Sequence, residues 1–243
     1  MERHRPRAIM LDMDDTIISF DHGVDTDACW RSTVSQHLPQ QSEEAAAQIV
    51  SSIKEKARWY WSDPERHRIG RQDLYLARLQ FLAAVLEERN IDQPDLAHKL
   101  ATTYGEERDL AITIFPDSID AIQQLRSKGI KLAMITNGNS KMQWEKINRF
   151  DLAPLFDLIV VEGDLGIGKP DERIYAHVLE QLDVAADEAW MVGDNFEWEV
   201  AAPQRLGIRG VWVDHKGNGV ADGSSALPYM TIKSLSDLIK AVE

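Results

Sequence analysis

The chain has 243 residues, 44% of them hydrophobic, enough to bury a sizeable core without disulfide or metal staples. Its net charge of −13, from 27 basic and 40 acidic residues, argues against a nucleic-acid or anionic-membrane surface. The single cysteine, Cys29, cannot close an intrachain disulfide, which fits a reducing cytoplasm, and no motif around it supports redox or nucleophilic chemistry.

The basic start at 1–7 leads into only four apolar residues, 8–11, too few for a signal-peptide core or a membrane span. A short continuous apolar run suits a parallel strand buried on both faces. It stops at Asp12, and Asp12, Asp14 and Asp15 then follow almost consecutively. Acids after a strand often serve turns or caps. Two unit charges ~4 Å apart, however, repel by about 4 kcal/mol at an effective dielectric near 20. A positive group is therefore expected among them, and open α/β sheets bind ligands at the carboxyl ends of strands. Asp12 and Asp14 are the leading catalytic pair, with a divalent cation between them.

The strand–helix rhythm then lapses until about residue 112. Ser42 opens a long amphipathic stretch through Tyr60, Ser62-Asp63-Pro64 breaks it, and further helices run from Leu74 and from Pro94. These predict a small antiparallel helical bundle. Trp59-Tyr60-Trp61 closes one of its helices, and Arg66, Arg68 and Arg71 follow closely. Neighbours on a helix lie about 100° apart, so at least one of the three aromatics points away from the bundle core. Arginine binds phosphate and carboxylate through paired donors, which makes Arg66, Arg68 and Arg71 candidate contacts to a substrate's leaving group.

Regular alternation begins at 118. Helices are predicted over 118–128, 141–148 and 171–182, strands over 131–136, 158–161, 189–192 and 210–213, and a last helix capped by Ser234. Pro203 falls inside a helix expected to run through Leu206, which it must kink or delay. This pattern gives βαβ units and a parallel sheet of Rossmann-like α/β class, with helices on both faces. Residues 1–20 and 113–243 form that core, and 21–112 are an insertion.

Later strand ends carry polar residues at comparable positions. Thr136-Asn137-Gly138 is a turn signal whose hydroxyl and successive amides could also hold phosphoryl oxygens. Gly193-Asp194-Asn195 follows another strand, with Glu197 and Glu199 beyond, and Asp194 lies beside Asp12 if both strands are central. An all-oxygen donor set that leaves room for water is the kind Mg²⁺ prefers. Residues 163–170 match the Gly-x-x-x-x-Gly-Lys part of a P-loop, but Pro170 stands where a hydroxyl is required, which rules against one. Lys169 is instead placed to neutralise Asp12 and a phosphoryl group.

Taken in order, these segments resemble the haloacid dehalogenase superfamily of aspartate-nucleophile phosphohydrolases over nearly the whole chain. Asp12-Met13-Asp14-Asp15-Thr16 is similar to its first motif, Thr136-Asn137-Gly138 to its second, Lys169-Pro170 to its third and Gly193 to Glu199 to its fourth. The insertion is similar to the family's helical cap. Asp15 stands where Gly or Asn is common and Glu199 where Asp is common, so either Glu197 or Glu199 supports the metal. The resemblance implies a Mg²⁺-dependent phosphatase acting on a small phosphorylated metabolite. Asp12 is then the nucleophile and Asp14 the general acid and base. Thr136 and Lys169, with Asn137 and Gly138, hold the phosphoryl oxygens, and Asp12, Asp14 (through its backbone carbonyl) and Asp194 hold the metal. The founding dehalogenases lack the second acid, so Asp14 points to phosphorus. A phosphotransferase or mutase of the same superfamily is the nearest alternative, and a catalytically silent binding module is another, against which the presence of Asp12, Asp14 and Lys169 weighs.

Overall fold

Every side chain of β1 (Ala8–Leu11) is fully buried, as befits a strand covered on both faces of its sheet. The structure, a computed structural model, describes residues 5–224 and 226–242; positions 1–4 of the basic start lie outside the described residues. β2 (Lys131–Thr136) and β4 (Ala189–Gly193) flank β1 in parallel, with Ile9 opposite both Leu132 and Trp190. β3 (Leu158–Val161) extends one side, and β5 (Arg209–Val213) and β6 (Met230–Ile232) the other. The order is β3-β2-β1-β4-β5-β6, all parallel, as expected of a Rossmann-like sheet. The direction of winding reverses between β1 and β4, so the ligand crevice of such a sheet opens outside the carboxyl ends of those two strands. Asp12 and Asp194 are the residues that follow them.

Contacts along the chain define two compact units: residues up to His22 together with those from Thr113 onward, and Gly23–Ile112. In the second, α1 (Thr26–His37), α2 (Glu43–Trp61), α3 (Pro64–Gly70), α4 (Leu74–Glu88) and α5 (Leu96–Ala111) pack around Trp30, Ile53, Phe81, Leu82 and Leu100. Four starts are capped by side chains that accept the orphan N–H three residues on: Asp25, Ser42, Asp63 and Asp73. Tyr60 is buried and Trp59 is 56% exposed, so the consecutive aromatics do diverge. Cys29 belongs to this core, and burial, then Glu107, pushes its thiol above the usual range. No helix among the described residues is long and apolar enough to cross a membrane.

In the sheet unit, α6 (Ser118–Ser127), α7 (Ser140–Arg149), a single turn α8 (Glu162–Leu165) and α9 (Glu172–Leu182) alternate with the strands. Ala8 and Met10 pack with Ile174, Tyr175 and Val178 of α9. Beyond β4 the chain winds as a π-helical turn, Glu197–Ala201, into a short α10 (Ala202–Gln204). Pro203 sits in the first turn of α10, where no amide donor is required, so the expected kink becomes a change of helix type. In α11 (Ser236–Ala241) the predicted cap is corrected: Asp237, not Ser234, accepts the N–H groups of Lys233 and Ser234.

The turn after Asp14 depends on Asp15, which adopts φ 59° and accepts N–H bonds from Phe20, Asp21 and His22 at 2.7–2.8 Å. Burial, then Asp21, pushes its carboxyl up to about 6. An acid raised in the fold favours the folded state most at low pH, and that advantage fades as pH rises from 3.8 toward 6. Asp15→Ala should lower stability by about 2 kcal/mol, since three amides lose their acceptor and alanine resists left-handed backbone. Asp15→Asn, which tolerates that backbone, should cost less, as paired denaturant titrations would measure.

Candidate active site

Where β1 ends, the N–H of Asp12 still donates to the carbonyl of Val192 on β4 at 2.9 Å, which fixes the Asp12 backbone against the neighbouring strand end. Its carboxylate accepts from Thr16 Oγ1 at 3.2 Å and from Lys169 Nζ at 2.6 Å. The ammonium also donates to Glu199 Oε1 at 2.7 Å, and Lys169 is 0% exposed. The π-helical turn brings Glu199 in, while Glu197 stays outside and pairs with Arg205 at 3.1 Å. Of the two glutamates left open by the sequence, Glu199 is therefore the one in the cluster. Gly193 makes the approach feasible: a Cβ there would lie 2.3 Å from Glu199 Cγ and 2.9 Å from Asp12 Cβ.

Charge is unevenly matched here. Burial raises the Asp12 carboxyl although Lys169 pulls it down, and burial, then Asp12 and Glu199, raises Asp194. Glu199 is pushed up to about 7, first by burial. Burial would lower Lys169, yet Asp12 and Glu199 outweigh it and hold the ammonium above its ordinary range. One cation thus faces three buried or partly buried acids, and Glu199 Oε2 has no hydrogen-bond partner among the described residues. These hard oxygen donors fit a divalent cation such as Mg²⁺. No group of three or more His, Cys, Asp or Glu side chains converges on one point among the described residues. Mg²⁺ commonly uses one or two protein carboxylates and keeps several waters, so Asp12 and Asp194 would be the side chains to hold it.

Asp14 faces elsewhere. Its carboxylate accepts from Lys146 Nζ at 2.5 and 2.7 Å and from Gln143 Nε2 at 2.9 Å, both on α7. Its side chain is thus engaged away from Asp12, and any metal contact by Asp14 falls to its backbone carbonyl. Gln143 Nε2 also donates to Thr136 Oγ1, tying the end of β2 to Asp14. Gln143 and Lys146 escaped the sequence reading; their only signal is their spacing of three on the helix that follows Thr136-Asn137-Gly138.

Asn137 and Gly138, expected to face a phosphoryl group, have partners within the protein in this structure. Asn137 exchanges two bonds with the backbone of Lys169, at 2.7 and 2.8 Å, and the Gly138 N–H donates to Glu162 at 2.8 Å. Both tie strand-end loops together and thereby orient Lys169. Arg66 lies 4.0 Å from the centre of the Trp59 ring and donates to the carbonyls of Trp59 and Tyr60, closing the end of α2. Arg68 is bound to Glu65 at 2.6 Å, and Arg71 forms the C-cap of α3. The guanidinium of Arg66 is thus taken up by the end of α2 and that of Arg68 by its own helix.

A model of the haloacid dehalogenase-like hydrolases matches residues 6–207. The chain is 35% identical over 154 residues to phosphoserine phosphatase from Thermus thermophilus, an alignment covering 63% of this chain and 56% of that protein. It thus spans little more than half the length of that relative. Identity to glyceraldehyde 3-phosphate phosphatase from Methanocaldococcus jannaschii is 24% over 248 residues, covering 98% and 97% of the two chains. The HAD-hydrolase YfnB from Bacillus subtilis, solved with bound magnesium, superposes with a TM-score of 0.74 at 20% identity, covering 98% of this chain and 99% of that one. At that identity the likeness concerns the fold.

Proposed function

The chain belongs to the haloacid dehalogenase-like hydrolase family, and from that premise we propose that it is a Mg²⁺-dependent phosphatase that hydrolyses a small phosphomonoester through an aspartyl-phosphate on Asp12. The observation that carries the reading is the pair of acids two residues apart with opposite environments. Asp12 is buried on Lys169, whereas Asp14 is partly exposed and held by α7. The phosphatase names of the two relatives agree with it.

In the first half-reaction an Asp12 oxygen attacks phosphorus, the bond to the leaving oxygen breaks, and Asp14 gives that oxygen its proton. In the second, Asp14 takes a proton from water, the water oxygen attacks phosphorus, and the bond to Asp12 breaks to release phosphate. Lys169 keeps Asp12 oriented and offsets charge that gathers on the phosphoryl oxygens, and Thr136 offers a hydroxyl to one of them. Mg²⁺ on Asp12 and Asp194, when bound, supplies further positive charge against the phosphoryl group. Splitting the displacement in two lets one site serve many leaving groups, since the second half-reaction is common to all.

The test is phosphate release from a panel of phosphorylated sugars, amino acids and glycolytic acids. Turnover should require Mg²⁺, stop in excess chelator, and return on adding Mg²⁺ back. Calcium should substitute poorly because it prefers more ligands at longer bonds. Full turnover in chelator, or no release from any member of the panel, would refute the reading.

A further inference from the structure

Two long polar side chains of α7 are turned inward. Gln143 is 4% and Lys146 9% exposed, and Gln143 shares its helix face with both Lys146 and the fully buried Ile147, three and four residues on. A helix that only had to cover the sheet would carry apolar residues there. Burying a lysine requires partners, and this one has both Asp14 oxygens, at 2.5 and 2.7 Å, and the face of the Phe20 ring, whose centre lies 4.4 Å from its nitrogen. Two bonds from one ammonium fix the plane of the Asp14 carboxylate. Gln143 Nε2 adds a second donor to Oδ2 at 2.9 Å.

The same amide nitrogen donates to Thr136 Oγ1, so both of its hydrogens are engaged. A carboxylate can only accept, which means that the nitrogen of Gln143, and not its oxygen, faces this pair. The Thr136 hydroxyl accepts from it and keeps its own hydrogen free to donate, which is what a phosphoryl oxygen requires of it. The helix that carries both residues is itself fixed. Asn139 caps its first turn, and Trp144 Nε1 ties it to Asp164 on α8 at 2.7 Å. All of these residues belong to the sheet unit.

We propose that Gln143 and Lys146 are positioning residues that hold the Asp14 carboxylate and the Thr136 hydroxyl in one fixed relation. The inference deepens the phosphatase reading and rests on it. Holding a reacting group in place removes a search from the chemical step, so the bracket contributes to rate without touching phosphorus. Its effect is uneven across substrates. An alkoxide leaves poorly without a proton, whereas p-nitrophenolate leaves without one, so an ill-held Asp14 harms alkyl esters more than this aryl ester.

The test measures kcat/KM with Mg²⁺ for glycerol phosphate and for p-nitrophenyl phosphate, using the full-length chain. In Lys146→Met the ratio of the first to the second should fall about tenfold or more. Lys146→Arg, which keeps the charge and the donors, should recover part of that ratio. In an Asp14→Asn background, adding Lys146→Met should move the ratio by less than about twofold, because the lysine acts through Asp14. Gln143→Leu makes the same comparison without removing a charge. It should lower kcat/KM for both esters, since Thr136 serves both, and lower the ratio as well. Equal falls for the two esters in Lys146→Met and Gln143→Leu would make the pair a structural contact only. So would a further tenfold fall of the ratio when Lys146→Met is added to Asp14→Asn. A wild type that hydrolyses neither ester defeats the phosphatase reading and this proposal with it, whereas an active wild type with unchanged ratios in the variants defeats this proposal alone.

Discussion

Asp12→Asn should abolish phosphatase turnover, with kcat falling by about 10⁴-fold or more, while the fold persists. An amide is a far poorer nucleophile than a carboxylate, and residues that form the covalent intermediate lose about this much when replaced. The change is nearly isosteric, so the bond from Thr16 and the strand register at Val192 should survive. Because Asp12 is one of three crowded acids, removing its charge should leave metal-free stability equal or slightly raised. A rapid quench with labelled substrate should trap one phosphoryl group per wild-type chain and none on the variant. Turnover within about tenfold of wild type would place the nucleophile elsewhere.

Lys169→Met should have the largest effect on stability. The methionine fills similar volume, so the loss is chiefly of charge: Asp12 and Glu199 remain buried without the ammonium that lies 2.6 and 2.7 Å from them. Breaking a buried pair by removing one partner costs about 3–5 kcal/mol. The sign with pH follows from the carboxyls. Both are raised in the fold, Glu199 to about 7. Between the unfolded and folded values the native state therefore holds more protons, and stability falls as pH rises. Removing Lys169 raises both acids further, so the deficit should be small near pH 4 and full above about pH 8. Denaturant titrations of both proteins across that range would measure it, and a deficit independent of pH would mean that packing, not charge, accounts for Lys169. Activity should fall with it, since the same ammonium orients Asp12.

Most of this arrangement can be read from the sequence because it depends on local signals. The apolar runs 8–11, 131–136, 158–161 and 189–192 each give way to polar residues within two positions, and strand ends of a parallel sheet fall on one edge. Ser42 and Asp63 announce helix starts by residue type alone. What was missed depends on tertiary placement. Strand β6 has three residues and no periodicity, and it forms only because β5 offers an open edge. Gln143 and Lys146 look like ordinary polar positions of α7 until β1 sets Asp14 beside them. The arginines at 66, 68 and 71 stand out by their density, yet Arg66 closes the end of α2 and Arg68 pairs with Glu65 within α3.

The position of β1 also governs the order in which the molecule can assemble. As the chain is made, β1 precedes both its neighbours: it has no partner until β2 follows the whole of Gly23–Ile112, and its other edge stays open until β4 appears. The intervening helices find their main partners among themselves, whereas each strand pairing of β1 must close a loop longer than that whole unit. On the ribosome the helical unit should therefore become protease-resistant while Ala8–Leu11 is still exposed. Four apolar residues with both edges unpaired are a target for chaperones and for misassociation. Nascent chains halted before residue 189 should accordingly be sticky, and those extended past β4 should not.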